Sequence, residues 1–277
     1  MINLATLKYE VTVIWISGIK HWKIRLSYPL SVFYFAVEPF LFLLPSILYG
    51  LALVDGRNAN TSYMSNIDVV AFVAFGTAGL AAMIRTYWTV AMGIRREEWT
   101  GTMSSIYIAP VSRFSLIGGT CFYGITYALI GMSLQLFFTW IIFGMDVRIL
   151  NALPALIVLI FAFIACQGIG LAIAGVTLGM KQAWRFVLFL DSVMGMLAPA
   201  VFPLVVLPIM LRPAAYAMPV SVGVEAFREA FMSGFTIYVL QLIALLIILD
   251  ILWIFLGYII FGWFERRSRS VGNLGSY

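Results

Sequence analysis

The sequence predicts an all-α membrane protein that crosses a bilayer six times, and three observations carry that prediction. The first is composition: of 277 residues, 63% are apolar and 10% charged, with a mean hydropathy of +1.02, where a soluble domain has roughly 45–50% apolar and 25% charged residues. A soluble enzyme is excluded on that ground. The second is a pair of charge-free runs, residues 114–145 and 149–180, each 32 residues long and each beyond the roughly 20 residues that cross the hydrocarbon as a helix. The third is the placement of the basic residues, which gather on one side of the apolar runs as they do in multi-pass proteins.

Apolar runs bounded by charges and turn residues place the spans at about 27–53, 68–94, 115–143, 152–180, 186–211 and 236–264. The tails and the loops after spans two and four hold Lys8, Lys20, Lys23, Arg25, Arg95, Arg96, Arg113, Lys181, Arg185, Arg266, Arg267 and Arg269, twelve basic residues against four on the other side, Arg57, Arg148, Arg212 and Arg228. Because Lys and Arg are retained on the cytoplasmic side, both termini, including the tail 265–277, are expected in the cytoplasm and the protein in the cell membrane. The net charge of +5 is then a topology signal and calls for no nucleic acid.

Residues 1–26 form an amphipathic helix at the inner interface. Leu4, Leu7, Val11, Ile14, Trp15, Gly18 and Trp22 recur at steps of three and four, with Thr6, Glu10, Ser17 and Lys20 opposite. Periodicity leaves open whether this helix has a mechanical role or is a plain anchor. Its dispersed charges show no removable signal peptide. In span four, Gly168, Gly170, Gly175 and Gly179 include a Gly-x-x-x-Gly spacing suited to close helix approach. Pro199, Pro203, Pro208, Pro213 and Pro219 then break any straight helix. Residues 214–235 are too short to cross and return as two spans, yet Val224, Phe227 and Phe231 make an apolar stripe beside Glu225, Arg228 and Glu229. A re-entrant or interfacial hairpin on the outer side is expected before span six, bordering the mouth of a pathway.

Reactive chemistry is not visible. Cys121 and Cys166 stand singly in apolar runs without metal spacing. The one histidine, His21, has no second ligand and is expected at the membrane surface. No catalytic, cofactor-binding or metal residue is therefore assigned. The one loop with a design of its own is 95–114. Glu97 and Glu98 are expected near the positive end of a short helix, Trp99, Met103, Ile106 and Tyr107 on its apolar side, and Pro110 at its stop. It either meets a soluble partner or lies on the lipid surface.

The run Glu98-Trp-Thr-Gly101-Thr102-Met-Ser-Ser-Ile-Tyr-Ile-Ala-Pro110-Val-Ser112-Arg113 resembles the coupling-helix signature of ABC-2 type transporter permeases. A second run, Met218-Pro219-Val-Ser-Val-Gly-Val-Glu225-Ala-Phe227-Arg228 through Gly234, is similar to the Asn-Pro…Glu-Ala-Phe-Arg…Gly motif that precedes the last span of that family, with Met218 in place of Asn. The resemblance implies a permease that pairs with itself and with two copies of a separate ATP-binding subunit and exports a hydrophobic or amphipathic substrate, a drug, lipid or glycan. It also implies that Glu97, Glu98, Gly101, Thr102, Met103, Ile106, Pro110 and Arg113 meet that subunit, and that Pro219, Glu225, Phe227 and Arg228 form an outer gate. ATP and Mg would sit on the partner. The residues agree, since none of the four lysines follows a glycine and the Gly-Lys of a phosphate-binding P-loop is absent.

Glu38, Arg85, Asp191 and Asp250 fall inside spans, where each costs roughly 2.5–3.5 kcal/mol at the centre and asks for a partner. Glu38 lies about 20 Å and Arg85 about 15 Å from the cytoplasmic boundary by helical rise, so the two are expected to pair between spans one and two. Asp191 is expected to reach back toward the boundary or Lys181, and Asp250 to pair with a neighbour or line a polar path. The aromatic residues fit interfacial belts or a sugar pathway. An ion-coupled carrier and a membrane scaffold are the competing functions, and neither needs segment 97–113.

Overall fold

Long charge-free runs become long helices, because in lipid a helix satisfies its own backbone. The structure, a computed structural model, describes residues 4–54, 58–61, 64–101, 112–145, 149–180 and 183–270. In chain order these form α1 (Leu4–Leu26), α2 (Pro29–Val54), the strands β1 (Asn58–Thr61) and β2 (Met64–Asp68), α3 (Val69–Ala91), α4 (Gly93–Trp99), α5 (Arg113–Phe143), α6 (Ala152–Leu178), α7 (Ala183–Leu197), α8 (Arg212–Ala217), α9 (Pro219–Ser233) and α10 (Ile237–Ser270). The strands pair as a short antiparallel hairpin, and everything else regular is helical.

Among the described residues five helices are long and apolar enough to cross a membrane: α2, α3, α5, α6 and α10. The expected span 186–211 is not a single helix. α7 has 15 residues, about 22 Å by helical rise, short of a hydrocarbon core of about 30 Å. Pro199, Pro203 and Pro208 follow and cannot donate to a continuing helix. The chain instead makes a short 3-10 turn at Leu204–Val206, then α8, then α9 with Pro219 at its start.

α3 is the central helix, packed on α2, α5, α6 and α9. Small residues on it admit close neighbours: Ala71, Ala74, Ala78 and Ala82 are buried, a Cβ on Gly76 would collide with the Ala200 carbonyl, and one on Gly79 would meet Phe227 at 3.1 Å. α6 and α10 pack in parallel over the longest contact in the molecule. A Cβ on Gly168 would stand 2.6 Å from the Trp253 carbonyl carbon, one on Gly175 2.6 Å from the Phe261 Cα, and one on Gly257 would strike the Gly168 carbonyl. Gly179, the second member of the expected Gly-x-x-x-Gly pair, meets Phe264 of α10 at an ordinary 3.5 Å. The close seam thus runs through Gly168 and Gly175, one heptad apart, and Gly170 faces α3 at Tyr87 instead.

α9 is not an interfacial stripe. Residues 219–228 are buried all round, between α3, α6 and α10. The Asn151 amide donates to the Phe231 carbonyl at 2.9 Å, so α9 ends level with the start of α6. The Trp253 indole donates to the Ala217 carbonyl at 3.1 Å, so α9 begins beside the point about 24 Å along α10.

α1 packs on the start of α5. It runs parallel to the first half of α5, with Ile14 against Gly118, Gly18 against Phe122 and the Trp22 indole donating to Thr126 at 2.9 Å. Ser17 and His21 face α5, His21 buried and Ser17 half-buried, whereas Val11, Ile16 and Ile24 are exposed and Trp15, partly exposed, sets its ring 5.1 Å from that of Phe122. Both stripes therefore meet α5, the polar one through Ser17 and the apolar one through Ile14, Gly18 and Trp22, while Val11 and Ile16 are left exposed.

Replacing Gly168 with Leu should separate α6 from α10 and cost on the order of 1–3 kcal/mol, while Gly179→Ala should cost under about 0.5 kcal/mol. Thermal unfolding in detergent compares them; equal losses would contradict the seam described.

Candidate functional site

Segment 95–114 is built from its flanks inward. α4 ends at Trp99, and Gly101 then takes a left-handed φ of 69°, which a glycine adopts without strain. Glu97 and Glu98 therefore stand in the last turn of α4, and the stretch expected to run on as a short helix to Pro110 falls outside the described residues. Thr102, Met103, Ile106 and Pro110 lie outside the described residues. Ser112 caps α5 by accepting from the Ser115 amide, and Arg113 is the first residue of that helix. Trp99 is 58% exposed.

Both flanks are held by α1. Lys20 donates to the two Glu97 carboxylate oxygens at 2.6 and 2.7 Å, and the Glu10 carboxylate accepts from the Ser112 hydroxyl at 2.7 Å and from Ser115. These hydroxyls, Ser115 first, hold the Glu10 carboxyl below its usual range. The Arg95 guanidinium donates to the Met180 carbonyl at the end of α6. His21 is not a surface residue: it is buried with its ring 5.3 Å from that of Tyr123. Burial first, and then the Arg96 cation, lower its pKa to about 4, so it is neutral at physiological pH. Sequence reasoning missed Glu10 and Lys20 as braces. The signal for Glu10 was its recurrence with Ser17 and His21 at steps of seven and four on one face; Lys20 had none.

Of the intramembrane charges, Glu38 and Arg85 are brought together, Oε2 to Nη2 at 3.1 Å. The Arg85 guanidinium also lies 5.6 Å from the Tyr127 ring centroid. Asp191 does not turn back to the boundary; it accepts from the Tyr87 hydroxyl on α3. Asp250 is buried against Ala165 and Cys166 of α6, and its Oδ1 has no hydrogen-bond partner among the described residues.

The residues expected at an outer gate are interior. Arg228 is fully buried one turn from Glu225, pairs with it, donates to the Pro199 carbonyl at 2.5 Å and lies 3.8 Å over the Phe72 ring. Arg212 donates to the Leu207 and Val205 carbonyls at 2.9 and 2.5 Å. Two arginines thus answer carbonyls of the proline-rich turn that no helix ladder satisfies. Phe227 packs between Phe75 and Phe231, and Pro219 opens α9.

Five long apolar helices, charges paired at depth and an aromatic residue presented beside a braced loop define a multi-pass helical membrane protein. The described residues contain no cluster of His, Cys, Asp and Glu able to hold a metal. Residues 12–232 match the ABC-2 type transporter family, and the chain belongs to it. It is accordingly an ABC-type permease, a membrane component whose family implies an ABC ATP-binding partner. A comparison with curated proteins finds no match.

Replacing Glu38 or Arg85 singly with Gln leaves the other charge unanswered and should destabilise the protein by about 3 kcal/mol. The double replacement should cost clearly less than the sum. A double-mutant cycle on unfolding in detergent measures this, and strict additivity would show that the two do not interact.

Proposed function

We propose that this chain is the permease of an ATP-driven exporter that works as a homodimer with two copies of a separate ATP-binding subunit, moving a hydrophobic or amphipathic compound, a drug, lipid or glycan, out across the cell membrane. ATP and Mg are bound by the partner. The observation that supports this best is the bracing of segment 95–114 at both flanks by α1, through Lys20 to Glu97 and Glu10 to Ser112. A loop that only rests on lipid has no need of two fixed ends.

In this mechanism Glu98, Gly101, Thr102, Met103, Ile106 and Arg113 seat the segment in the ATP-binding subunit and Pro110 sets its exit. Glu97 acts from behind, as the point where α1 grips the segment. Closure of the ATP-binding pair pushes on α4 and the start of α5, and α1 moves with them because its polar bonds span both. The displacement reaches α3, which continues into α4, and α6 through Arg95. At the other end, α7 with the proline-rich turn completes a fifth crossing and α8 and α9 re-enter from the outer side, giving six crossings with both termini in the cytoplasm. Glu225 and Arg228 then fix the outer gate by holding the turn at 199–204, and do not touch the substrate.

A Glu98→Lys change should leave expression and membrane insertion intact while lowering recovery of the ATP-binding subunit in a pull-down and reducing transport-linked hydrolysis at least tenfold, the loss of about 1.4 kcal/mol of coupling. Full recovery with normal transport would remove segment 97–113 from the coupling role.

A further inference from the structure

One face of α5 is covered over half its length. Tyr123, Tyr127, Ile130, Leu134 and Phe137 recur at steps of four and three and form a single stripe. α1 covers its first part: Trp22 packs on Tyr123 and Tyr127, and the Arg25 guanidinium donates to the Tyr123 hydroxyl at 2.7 Å and lies 4.3 Å from the Tyr127 ring centroid. Where α1 ends the stripe emerges. Ile130 is 43% and Phe137 51% exposed, and with Leu129, Ser133 and Leu134 they line a groove of about 420 Å³. Leu134 belongs both to this groove and to the cluster around Tyr123, Tyr127 and Phe35, so the two are continuous.

The charge at the covered end is unbalanced. Arg25 and Arg85 both lie over Tyr127, and the single carboxylate nearby, Glu38, pairs with Arg85. Among the described residues Arg25 meets Tyr123, Tyr127 and Phe35 and no carboxylate. Its depth suits a headgroup. α5 has 31 residues, about 46 Å by helical rise, and about 20 residues back from Phe143 puts the inner edge of the hydrocarbon near Tyr123. Arg25 therefore stands at the phosphate level of the cytoplasmic leaflet, with the groove running from it into the hydrocarbon.

We propose that this stripe binds one anionic phospholipid of the cytoplasmic leaflet per chain, its phosphate on Arg25 and one acyl chain in the groove at Ile130, Leu134 and Phe137. The lipid continues the cover that α1 begins and fastens the end of α1 to α5. It is a resident lipid, separate from the exported compound. Chemistry selects it: a cation beside an apolar groove favours a negative head on a long tail over a zwitterion, by about fivefold for one arginine.

The full-length chain, delipidated in mild detergent, is titrated by native mass spectrometry with dioleoylphosphatidylglycerol, dioleoylphosphatidylcholine and glycerol 3-phosphate. One phosphatidylglycerol per chain should bind about fivefold more tightly than phosphatidylcholine. Arg25→Gln should abolish the difference. Ser133→Trp, which fills the exposed groove and leaves Arg25 in place, should weaken both lipids, and glycerol 3-phosphate should not bind. Equal binding of the two lipids to the unaltered chain, binding indifferent to Ser133→Trp, or glycerol 3-phosphate binding as tightly as the lipid would overturn the proposal. So would disulfide formation between Ile130→Cys copies in membranes, which would give the groove to a second chain.

Discussion

Polar groups inside a bilayer find no water, and each must be answered by the chain itself or by something the chain holds. That constraint runs through the whole molecule. It sets Arg85 against Glu38, Tyr87 against Asp191, and Arg212 and Arg228 against the carbonyls that the prolines leave free. It also sets the polar side of α1 on the protein, where Glu10, Ser17, Lys20 and His21 find partners or cover, while Val11 and Ile16 are left exposed. Once polar groups are answered from within, dispersion and close backbone approach at small residues hold the helices together. The Gly168, Gly175 and Gly257 seam and the alanine-lined α3 serve that end.

Much of this was legible in the sequence, for stateable reasons. A 32-residue run without a charge has one stable form in lipid, so α5 and α6 were readable to within a few residues. Glu38 and Arg85 were placed in one layer by counting helical rise from the nearest boundary charges, and they lie 3.1 Å apart. The fifth apolar run does not form one long helix, because hydropathy averages over prolines that the backbone cannot ignore. Which side of α1 meets protein was not legible, because amphipathicity marks two faces without saying which of them packs on a neighbour. The tie between Lys20 and Glu97 joins residues 77 positions apart, and nothing local announces it.

The same tie gives the proposed mechanism its physical content. A coupling segment carries force only if its ends are fixed, and here one end is an ion pair with α1 and the other a carboxylate on two serine hydroxyls. α1 is in turn anchored to the membrane-spanning part of α5 through Trp22 and Arg25. Movement at α4 is therefore shared with α5 along about four turns of parallel packing, and not absorbed by a slack loop.

In the proposed mechanism the end of α4 faces an ATP-binding subunit, and Trp99 is exposed there. A photo-reactive phenylalanine analogue placed at position 99 and activated in native membranes tests it most directly. One major adduct is expected, a P-loop ATPase joined to this chain. Adducts confined to lipid, with none to an ATPase, would contradict it.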